Sequence, residues 1–347
     1  SHPEEAKKFK FLVLARLCHV FSLVYLSGLF RLWSRCFMKV DTFDFNNKVE
    51  GKTFLVKNMG WHFFVRPQNI RKRILKAVDK MQREVDVIGL GALTKHEGLT
   101  QGGKWIVDQM KDRLKVPLVH GDTLTAVTVI KMIERIFDGF PQTPVFMTGS
   151  TSKIGRAVAI YLAQNQVHVK MFTKSISRFQ DIQKEAGDYG KYMERVESLE
   201  DGAKCHLWLT GKAKPGGEKL LKYIPHEAIV LNFSVPNPLS AKTIRNNNRH
   251  DIFASGVGYL AYDTKSTDLQ VTMRLWPGIT YACHAGTAVH AYMGWKNHEV
   301  NAVEMEAMEK VWKAAQEIGF FLPHPKELAL LNNWEFSDHM SRSNSQF

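Results

Sequence analysis

The sequence predicts an α/β fold, because short apolar runs alternate with amphipathic runs along most of its 347 residues. The pattern is sharpest in one stretch, where an apolar strand over Val145–Thr148 runs into a turn, Gly149–Gly155. A helical run over Ile154–Gln164 and a second strand over Val167–Phe172 complete the unit. This order of elements predicts a Rossmann-like parallel sheet domain over residues 141–270.

The turn has the composition of a phosphate-binding loop. Gly149 would allow a tight turn, Gly155 would let the helix pack closely on the strand, and the N–H groups at the helix start would face a pyrophosphate. Ser152 stands where a middle glycine would be, so the backbone would approach the phosphate less closely there. The predicted cofactor-binding residues in the turn are Gly149, Ser150, Thr151, Ser152, Lys153, Ile154 and Gly155.

Two cations, Lys174 and Arg178, follow the second strand, where an acid would hold a ribose 2′-hydroxyl. Cations at that position favour a 2′-phosphate, so the sequence predicts NADPH rather than NADH. The alternative is a structural strand-helix-strand unit with a solvated basic turn.

The composition points to an anionic partner and away from a disulfide framework. The net charge is +13, which suits a phosphorylated cofactor, a CoA ester, an acidic carrier protein or a membrane surface. Nucleic acid is disfavoured, because no stripe of Lys and Arg interleaved with aromatic residues is present. The four cysteines are Cys18, Cys36, Cys205 and Cys283, which form no C-x-x-C pair and indicate a reducing compartment.

The first segment, residues 1–40, is expected to associate with a membrane. Residues 11–33 are long and apolar with flanking cations, yet Arg16, His19, Ser22 and Ser27 draw a polar stripe down one side. This pattern favours a helix lying in the membrane interface, with a spanning helix or a buried core helix as alternatives. Because the chain begins with Ser1 rather than Met, we expect it to be the C-terminal part of a longer protein.

Residues 41–140 are expected to form a second, substrate-side α/β domain. A helix is predicted over Ile70–Arg83, and strands over Val85–Leu90 and Val116–Val119. Polar, glycine-containing loops follow both strands, at the sheet edge where open α/β sheets bind ligands. These loops make four residues candidates for the substrate pocket: Gly91, Gly121, Asp122 and Thr123.

The later elements are predicted from the same periodicities. Arg178–Glu197 is expected to be a charged helix, and His206–Thr210 and Ala228–Phe233 are expected to be apolar strands. The loop Gly211–Gly217 is either an approach to the nicotinamide half of the cofactor or a flexible connection. Residues 241–270 are expected to lie mostly on the surface.

Residues 271–347 are expected to form C-terminal helices that carry a reactive cysteine. A helix of small residues is predicted from about Thr280 to Met293, with Cys283 in its first turn, where the helix dipole and free N–H groups favour a thiolate. His284 is adjacent and His290 lies about two turns on, so both are candidates for proton transfer. A thiolate beside a nicotinamide predicts transfer of an acyl group to sulfur and its reduction to an aldehyde. The alternative is an inert cysteine on a closely packed helix.

Two other sites compete with this interpretation. Tyr292 and Lys296 have the spacing of a short-chain dehydrogenase pair, but the glycine pattern of that family is altered here. His284, His290, His298 and Glu299 are close in sequence but give no defensible set of metal ligands, so no metal site is predicted.

The chain resembles the C-terminal region of the plant eceriferum-type very-long-chain aldehyde decarbonylases, over most of residues 40–325. The matching segments are Phe45–Lys48, Val87–Gly91, Val119–Thr125, Gly149–Gly155 and Ala288–Val300, followed by Trp312 and Gly319. The region also resembles cyanobacterial long-chain acyl-ACP reductases at Gly121–Ala126, Gly149–Gly155 and Ala282–Ala285.

These resemblances imply NADPH-dependent reduction of a long or very-long-chain acyl-CoA or acyl-ACP to a fatty aldehyde, in wax and alkane biosynthesis. They imply that Cys283 carries the acyl group, and that the protein works at the endoplasmic reticulum membrane, facing the cytosol. The di-iron histidine boxes of the plant family lie in an N-terminal membrane domain that this sequence does not contain, so a di-iron partner or domain is expected. Two rival roles remain: the tail of an aldehyde-deformylating oxygenase, and a non-catalytic subunit of a wax-synthesis complex.

Overall fold

The computed structural model describes residues 37–324, apart from 57, 59–61, 212–215, 235–236, 240 and 264–277. The helix expected over residues 11–33 therefore lies outside the described residues. Within them, no helix is both long and apolar enough to cross a membrane.

The first part of the described chain is a mixed α/β region. Its strands and helices are β1 (Phe37–Phe45), β2 (Val49–Val56), α1 (His62–Val65), α2 (Pro67–Met81), β3 (Ile88–Gly89), α3 (Glu97–Thr100), α4 (Lys104–Met110), β4 (Leu118–Val119) and α5 (Asp122–Phe137). Strands β1 and β2 form an antiparallel hairpin, and β3 pairs with β4 in parallel. A 3₁₀ turn over Ala92–Lys95 follows β3. The helix predicted over Ile70–Arg83 is confirmed as α2, and the two predicted strands are confirmed as β3 and β4, both shorter than the apolar runs suggested.

The second part contains the parallel sheet. Its elements are β5 (Val145–Thr148), α6 (Lys153–Gln164), β6 (Val169–Phe172), α7 (Ile176–Glu185), β7 (Met193–Val196), β8 (Leu207–Thr210), α8 (Gly217–Leu221), β9 (Ile229–Asn232), α9 (Ala241–Asn246) and β10 (Phe253–Gly256). Six strands of the described residues pair in parallel in the order β10-β9-β8-β5-β6-β7. Counted from β5, this is the order 6-5-4-1-2-3 of a doubly wound dinucleotide-binding sheet, so the Rossmann-like prediction is confirmed.

Two predictions in this part are wrong. The charged helix expected over Arg178–Glu197 ends at Glu185, and Met193–Val196 is the edge strand β7. Its two central residues, Glu194 and Arg195, are charged, because the outward side of an edge strand is exposed, and the strand therefore lacks an apolar run in the sequence. The described part of residues 241–270 is not mostly surface, because β10 and a short strand β11 (Tyr259–Ala261) bury residues such as Ser255 and Leu260.

The C-terminal elements return to the first part of the chain. They are β12 (Ile279–Tyr281), α10 (Ala282–Tyr292) and α11 (Met308–Ile318). Strand β12 pairs antiparallel with β11, so the chain enters α10 from a strand rather than from the helix start expected near Thr280. Helices α10 and α11 pack on α5, which is buried along most of its length and also packs on α6. Helix α5 is therefore the element through which α10 is held near the parallel sheet.

Candidate functional site

The glycine turn lies between the carboxyl ends of β5 and β8, where the strand order reverses. Gly149 has φ +70°, and a Cβ there would lie 2.6 Å from the backbone of Gly211 at the end of β8. A Cβ on Gly155 would lie 2.2 Å from the Gly149 carbonyl oxygen. Both positions therefore require glycine, one for conformation and one for close packing of α6. This reversal point is the crevice in which doubly wound sheets bind dinucleotides.

The two serine side chains of the turn differ in their hydrogen bonding. Ser152 is the N-cap of α6, and its Oγ accepts a hydrogen bond of 3.2 Å from the Gly155 N–H. Ser150 is fully buried, and its Oγ lacks a hydrogen-bond partner among the described residues. Thr151 is half-buried, and Ile154 packs against the main core. A close-approach backbone with an unsatisfied hydroxyl fits a pyrophosphate group.

The two cations after β6 lie on the surface at the start of α7. Ser175 caps that helix by accepting the Arg178 N–H. Lys174 is exposed, and the Arg178 guanidinium lies 4.0 Å from a Glu97 carboxylate oxygen. Both side chains are thus exposed near the end of β6, and Arg178 makes a long ion pair with Glu97.

Cys283 lies in the first turn of α10, as the sequence predicts, and is partly exposed. Its backbone packs against the turn after β4, because a Cβ on Gly121 (φ +67°) would come within 2.0 Å of the Cys283 carbonyl oxygen. A Cβ on Gly91, two residues after β3, would lie 3.9 Å from Nε2 of the neighbouring His284. The two loops predicted to form the substrate pocket therefore lie against the first turn of α10.

Lys95, which the sequence analysis did not single out, is the cation beside Cys283. Its ammonium interacts electrostatically with the Cys283 side chain. It also donates to the His120 carbonyl at 3.0 Å and to Asp122 Oδ1 at 2.6 Å. Burial alone would lower the pKa of Lys95, but the charges of Cys283 and Asp122 outweigh it and raise that pKa well above its usual value. The ammonium therefore stays charged at neutral pH.

Asp122 connects this lysine to the glycine turn. Its second carboxylate oxygen, Oδ2, lies 2.8 Å from the ammonium of Lys153, the first residue of α6. Burial would raise the pKa of Asp122, but Lys95 and Lys153 outweigh that effect and lower it. A buried carboxylate between two ammonium groups thus joins the cysteine side of the site to the cofactor side.

His284 follows Cys283 in the first turn of α10, and its imidazole is uncharged at neutral pH. Burial and then the positive charge of Lys95 lower the pKa of His284 to about 4. It is therefore neutral at pH 7, and the positive charge near Cys283 comes from the Lys95 ammonium.

His290 belongs to a separate buried cluster. Its Nε2 lies 3.2 Å from Glu299 Oε2, and its ring meets the ring of Trp295 edge to face. Glu299 Oε1 lies 2.9 Å from His120 Nδ1 and accepts the Thr123 N–H at 3.0 Å. Burial would raise the pKa of Glu299, but hydrogen bonds from His120 and then His290 outweigh it and hold that pKa well below its usual range. The cluster therefore links α10 to β4 and α5. Within it, the His290 ring contacts Glu299 and Trp295.

The predicted substrate residues fall into two groups. Gly121 lies against Cys283 and Gly91 lies near His284, whereas Asp122 and Thr123 are buried at the start of α5. Thr123 donates its N–H to Glu299, and its Oγ accepts the Glu304 N–H at 3.3 Å. These two residues are therefore buried hydrogen-bonding groups that hold Lys95, Glu299 and Glu304 in place, and they do not line an open pocket.

Tyr259 is a further neighbour that the sequence analysis missed. It lies on β11, with its ring 5.3 Å from that of Tyr281. Burial, Tyr281 and Cys283 raise the pKa of Tyr259, so its hydroxyl stays protonated beside the cysteine. The sequence predicts that the segment containing Tyr259 lies mostly on the surface. The sequence signal for its burial is the apolar run around it.

The rival sites find no support in the geometry. Tyr292 is 41% exposed, at the end of α10, with its ring beneath the Lys48 ammonium. His298 accepts the Leu118 N–H through Nδ1. Over the ranges that the structure describes, no three His, Cys, Asp or Glu side chains are arranged to hold a metal ion.

Comparison with known sequences decides the family. The model described as "CER1-like, C-terminal domain" matches residues 145–323, which is more than half of the chain. The chain belongs to the CER1-like family. The resemblance to plant eceriferum-type decarbonylases is thereby confirmed.

Two curated relatives of this CER1-like chain come from Oryza sativa subsp. indica. It is 33% identical over 300 residues to very-long-chain aldehyde decarbonylase GL1-1, covering 83% of the chain and 44% of the relative. It is 32% identical over 277 residues to very-long-chain aldehyde decarbonylase GL1-2, covering 76% of the chain and 40% of the relative. The chain thus spans less than half the length of these relatives.

Among solved structures, L-tryptophan dehydrogenase from Nostoc punctiforme matches with a TM-score of 0.39 and 14% identity, covering 77% of this chain and 67% of that one. A likeness of that extent carries no argument about activity or cofactor. The fold of the CER1-like chain is therefore assigned from its own strand order.

Proposed function

We propose that this chain binds NADPH at the glycine turn and reduces a long-chain fatty acyl thioester to the aldehyde, with Cys283 as the acyl acceptor. The observation that carries the proposal is that Cys283 rests on the turn at Gly121, whose two neighbours hold Lys95, and that Asp122 joins Lys95 to Lys153 in the turn that begins at Gly149. This arrangement ties a partly exposed thiol at a helix start to the cofactor crevice of the sheet.

The residues of this chain perform the first half of the reaction. The Cys283 thiolate attacks the carbonyl carbon of the acyl thioester, the bond from that carbon to the carrier sulfur breaks, and the carrier leaves as a thiol after taking a proton. NADPH, when bound, supplies the hydride that reduces the resulting Cys283 thioester to the aldehyde and frees the sulfur. The net reaction consumes one acyl thioester, one NADPH and one proton, and yields aldehyde, NADP⁺ and the carrier thiol.

The residues present fit the cofactor. Gly149 and Gly155 leave room for the backbone to approach a pyrophosphate, and the unsatisfied Ser150 hydroxyl lies in the same turn. Lys174 and Arg178 stand at the end of β6, where a 2′-phosphate would lie. These features support NADPH over NADH.

A small apolar cavity lies beside the turn that carries Lys95. A space of about 130 Å³ lies against the turn after β3 and is lined by Phe63, Leu93 and Leu99 among others. Leu93 precedes Lys95 by two residues in the same 3₁₀ turn. One turn thus presents an apolar side chain to the cavity and an ammonium to the cysteine, as an acyl thioester would require.

The proposal extends to the surroundings of the reaction. The net charge of +13 suits CoA or an acidic acyl carrier, and the anionic surface of a membrane, which we place at the cytosolic face of the endoplasmic reticulum. The relatives are named aldehyde decarbonylases and are longer than this chain. The aldehyde would accordingly be consumed in wax or alkane synthesis by a di-iron domain or partner.

Mass analysis of the acylated protein tests the proposal. Incubation with palmitoyl-CoA in the absence of NADPH should leave an acyl adduct on the peptide that contains Cys283, in the native chain and in Cys205→Ser, whose cysteine is buried. Cys283→Ser should show no thioester, and addition of NADPH should remove the native adduct and release aldehyde. An equal adduct on Cys283→Ser would refute the assignment.

A further inference from the structure

Lys95 lies at the end of the 3₁₀ turn after β3, where two hydrogen-bond partners hold its ammonium in place. Its side chain is 16% exposed, and its ammonium is fixed by the His120 carbonyl at 3.0 Å and by Asp122 Oδ1 at 2.6 Å. These two partners flank Gly121 in the sequence. The ammonium therefore lies over the turn between β4 and α5.

That same turn is the surface on which Cys283 rests. Gly121 is so close to the first turn of α10 that a Cβ on it would come within 2.0 Å of the Cys283 carbonyl oxygen and 2.8 Å of the Cys283 Cα. A lysine held by both neighbours of Gly121 is consequently held against Cys283, and the Lys95 ammonium interacts with the Cys283 side chain.

The other groups around the sulfur do not supply a positive charge. His284 is kept neutral by burial and by Lys95, since both lower its pKa to about 4. Tyr259 stays protonated and uncharged, because burial raises its pKa. Lys95 is the cation that the described residues bring to Cys283.

We propose that Lys95 is a catalytic residue of the acyl-transfer step, acting as the fixed counter-charge of the Cys283 thiolate and not as its base. Asp122 is the positioning residue that holds Lys95 in place. This assignment rests on the function proposed above, because it concerns the nucleophile of that reaction.

The charges balance with Lys95 protonated throughout. The thiol proton leaves to solvent when the thiolate and ammonium form their pair, and the leaving carrier thiolate takes a proton from solvent. Asp122, which lies between Lys95 and Lys153, keeps the ammonium charged when the sulfur becomes acylated and loses its own charge. A permanent cation can therefore replace Lys95, whereas a neutral side chain cannot.

The test measures the thiol itself, without acyl substrate or NADPH. The rate at which iodoacetamide alkylates the Cys283 peptide is followed by mass spectrometry from pH 5.5 to 9 in the native chain, Lys95→Met, Lys95→Gln and Lys95→Arg. Lys104→Met is the matched control, because that lysine is exposed and pairs only locally with Asp108.

Loss of the ammonium should move the alkylation profile of Lys95→Met and Lys95→Gln to higher pH by about one unit, which lowers the rate at pH 7 by about tenfold. Lys95→Arg should recover most of the native rate, and Lys104→Met should match the native chain. Lys95→Gln keeps hydrogen-bonding groups for Asp122 and His120, so it serves if Lys95→Met does not fold.

A native profile in a folded Lys95→Met or Lys95→Gln chain would overturn the assignment. So would an Lys95→Arg chain that folds but alkylates as slowly as the neutral variants. Because neither reagent nor readout involves cofactor or acyl group, a failure here leaves the acyl-adduct experiment to judge the proposed function separately.

Discussion

The buried carboxylate of Glu299 should be one of the largest single contributors to stability around the site. It is 1% exposed and meets His120 Nδ1 at 2.9 Å, His290 Nε2 at 3.2 Å and the Thr123 N–H at 3.0 Å. Removal of a charged hydrogen-bond partner from buried polar groups costs roughly 1–3 kcal/mol or more. Glu299→Gln retains the shape and some hydrogen bonding, so we expect a loss of about 3 kcal/mol in the free energy of unfolding.

Urea unfolding followed by circular dichroism at pH 7 measures this loss. The midpoint should fall while the slope with denaturant stays constant, because the same surface is exposed on unfolding. Glu306→Gln is the matched control, since that side chain is exposed, and it should change stability by no more than about 0.5 kcal/mol.

The pH dependence of the same difference checks its electrostatic origin. His120 and His290 lower the pKa of Glu299 despite its burial, so the folded state favours the carboxylate more than the unfolded state does. That stabilisation is complete above the unfolded value of about 4.5 and is lost as the pH falls further. The gap between the native chain and Glu299→Gln should therefore narrow below about pH 4.5. Equal midpoints for Glu299→Gln and Glu306→Gln at pH 7 would refute the reasoning.

Three further predictions concern the cofactor crevice and the cysteine. Gly155→Ala should weaken NADPH binding by about tenfold or more in a fluorescence titration, because its Cβ would meet the Gly149 carbonyl oxygen at 2.2 Å. The control Gly98→Ala should leave binding unchanged, because its Cβ would make an ordinary contact at 3.4 Å. The double variant Lys174→Ala/Arg178→Ala should lose about tenfold in NADPH affinity and leave NADH affinity unchanged; an equal loss for both cofactors would remove the 2′-phosphate role. Between about pH 6.5 and pH 4 the unfolded His284 imidazole binds a proton that the folded one does not, so the free energy of unfolding of the native chain should fall with decreasing pH by up to about 1.4 kcal/mol per pH unit. His284→Gln should reduce this slope, and an unchanged slope would contradict the lowered pKa.

Local patterns in the sequence predicted the elements that depend on local contacts. The strand Val145–Thr148 was exact, and Cys283 fell in the first helical turn as expected, because apolar runs and small-residue periodicity determine both. The edge strand Met193–Val196 was missed, since an exposed, charged edge strand carries no alternating apolar signal.

Contacts between distant segments were not predictable from periodicity. Lys95 reaches Cys283 only because the turns after β3 and β4 and the start of α10 converge on Gly121. Helical spacing predicts that His290 lies on the same face of the helix as Cys283, but the ion partner of His290 is Glu299. The backbone of Glu299 forms a parallel β-bridge with Val119 of β4. The sequence identified the loops that form the site, and the structure identified the charges that operate in it.

The measurement that tests the central claim most directly is the fate of a labelled hydride. The chain would be incubated with palmitoyl-CoA and NADPH carrying deuterium at the transferable position, and the aldehyde would be analysed by mass spectrometry. The account predicts an aldehyde with one deuterium on its carbonyl carbon from the native chain and none from Cys283→Ser. Unlabelled aldehyde, or labelled aldehyde in equal yield from Cys283→Ser, would contradict it.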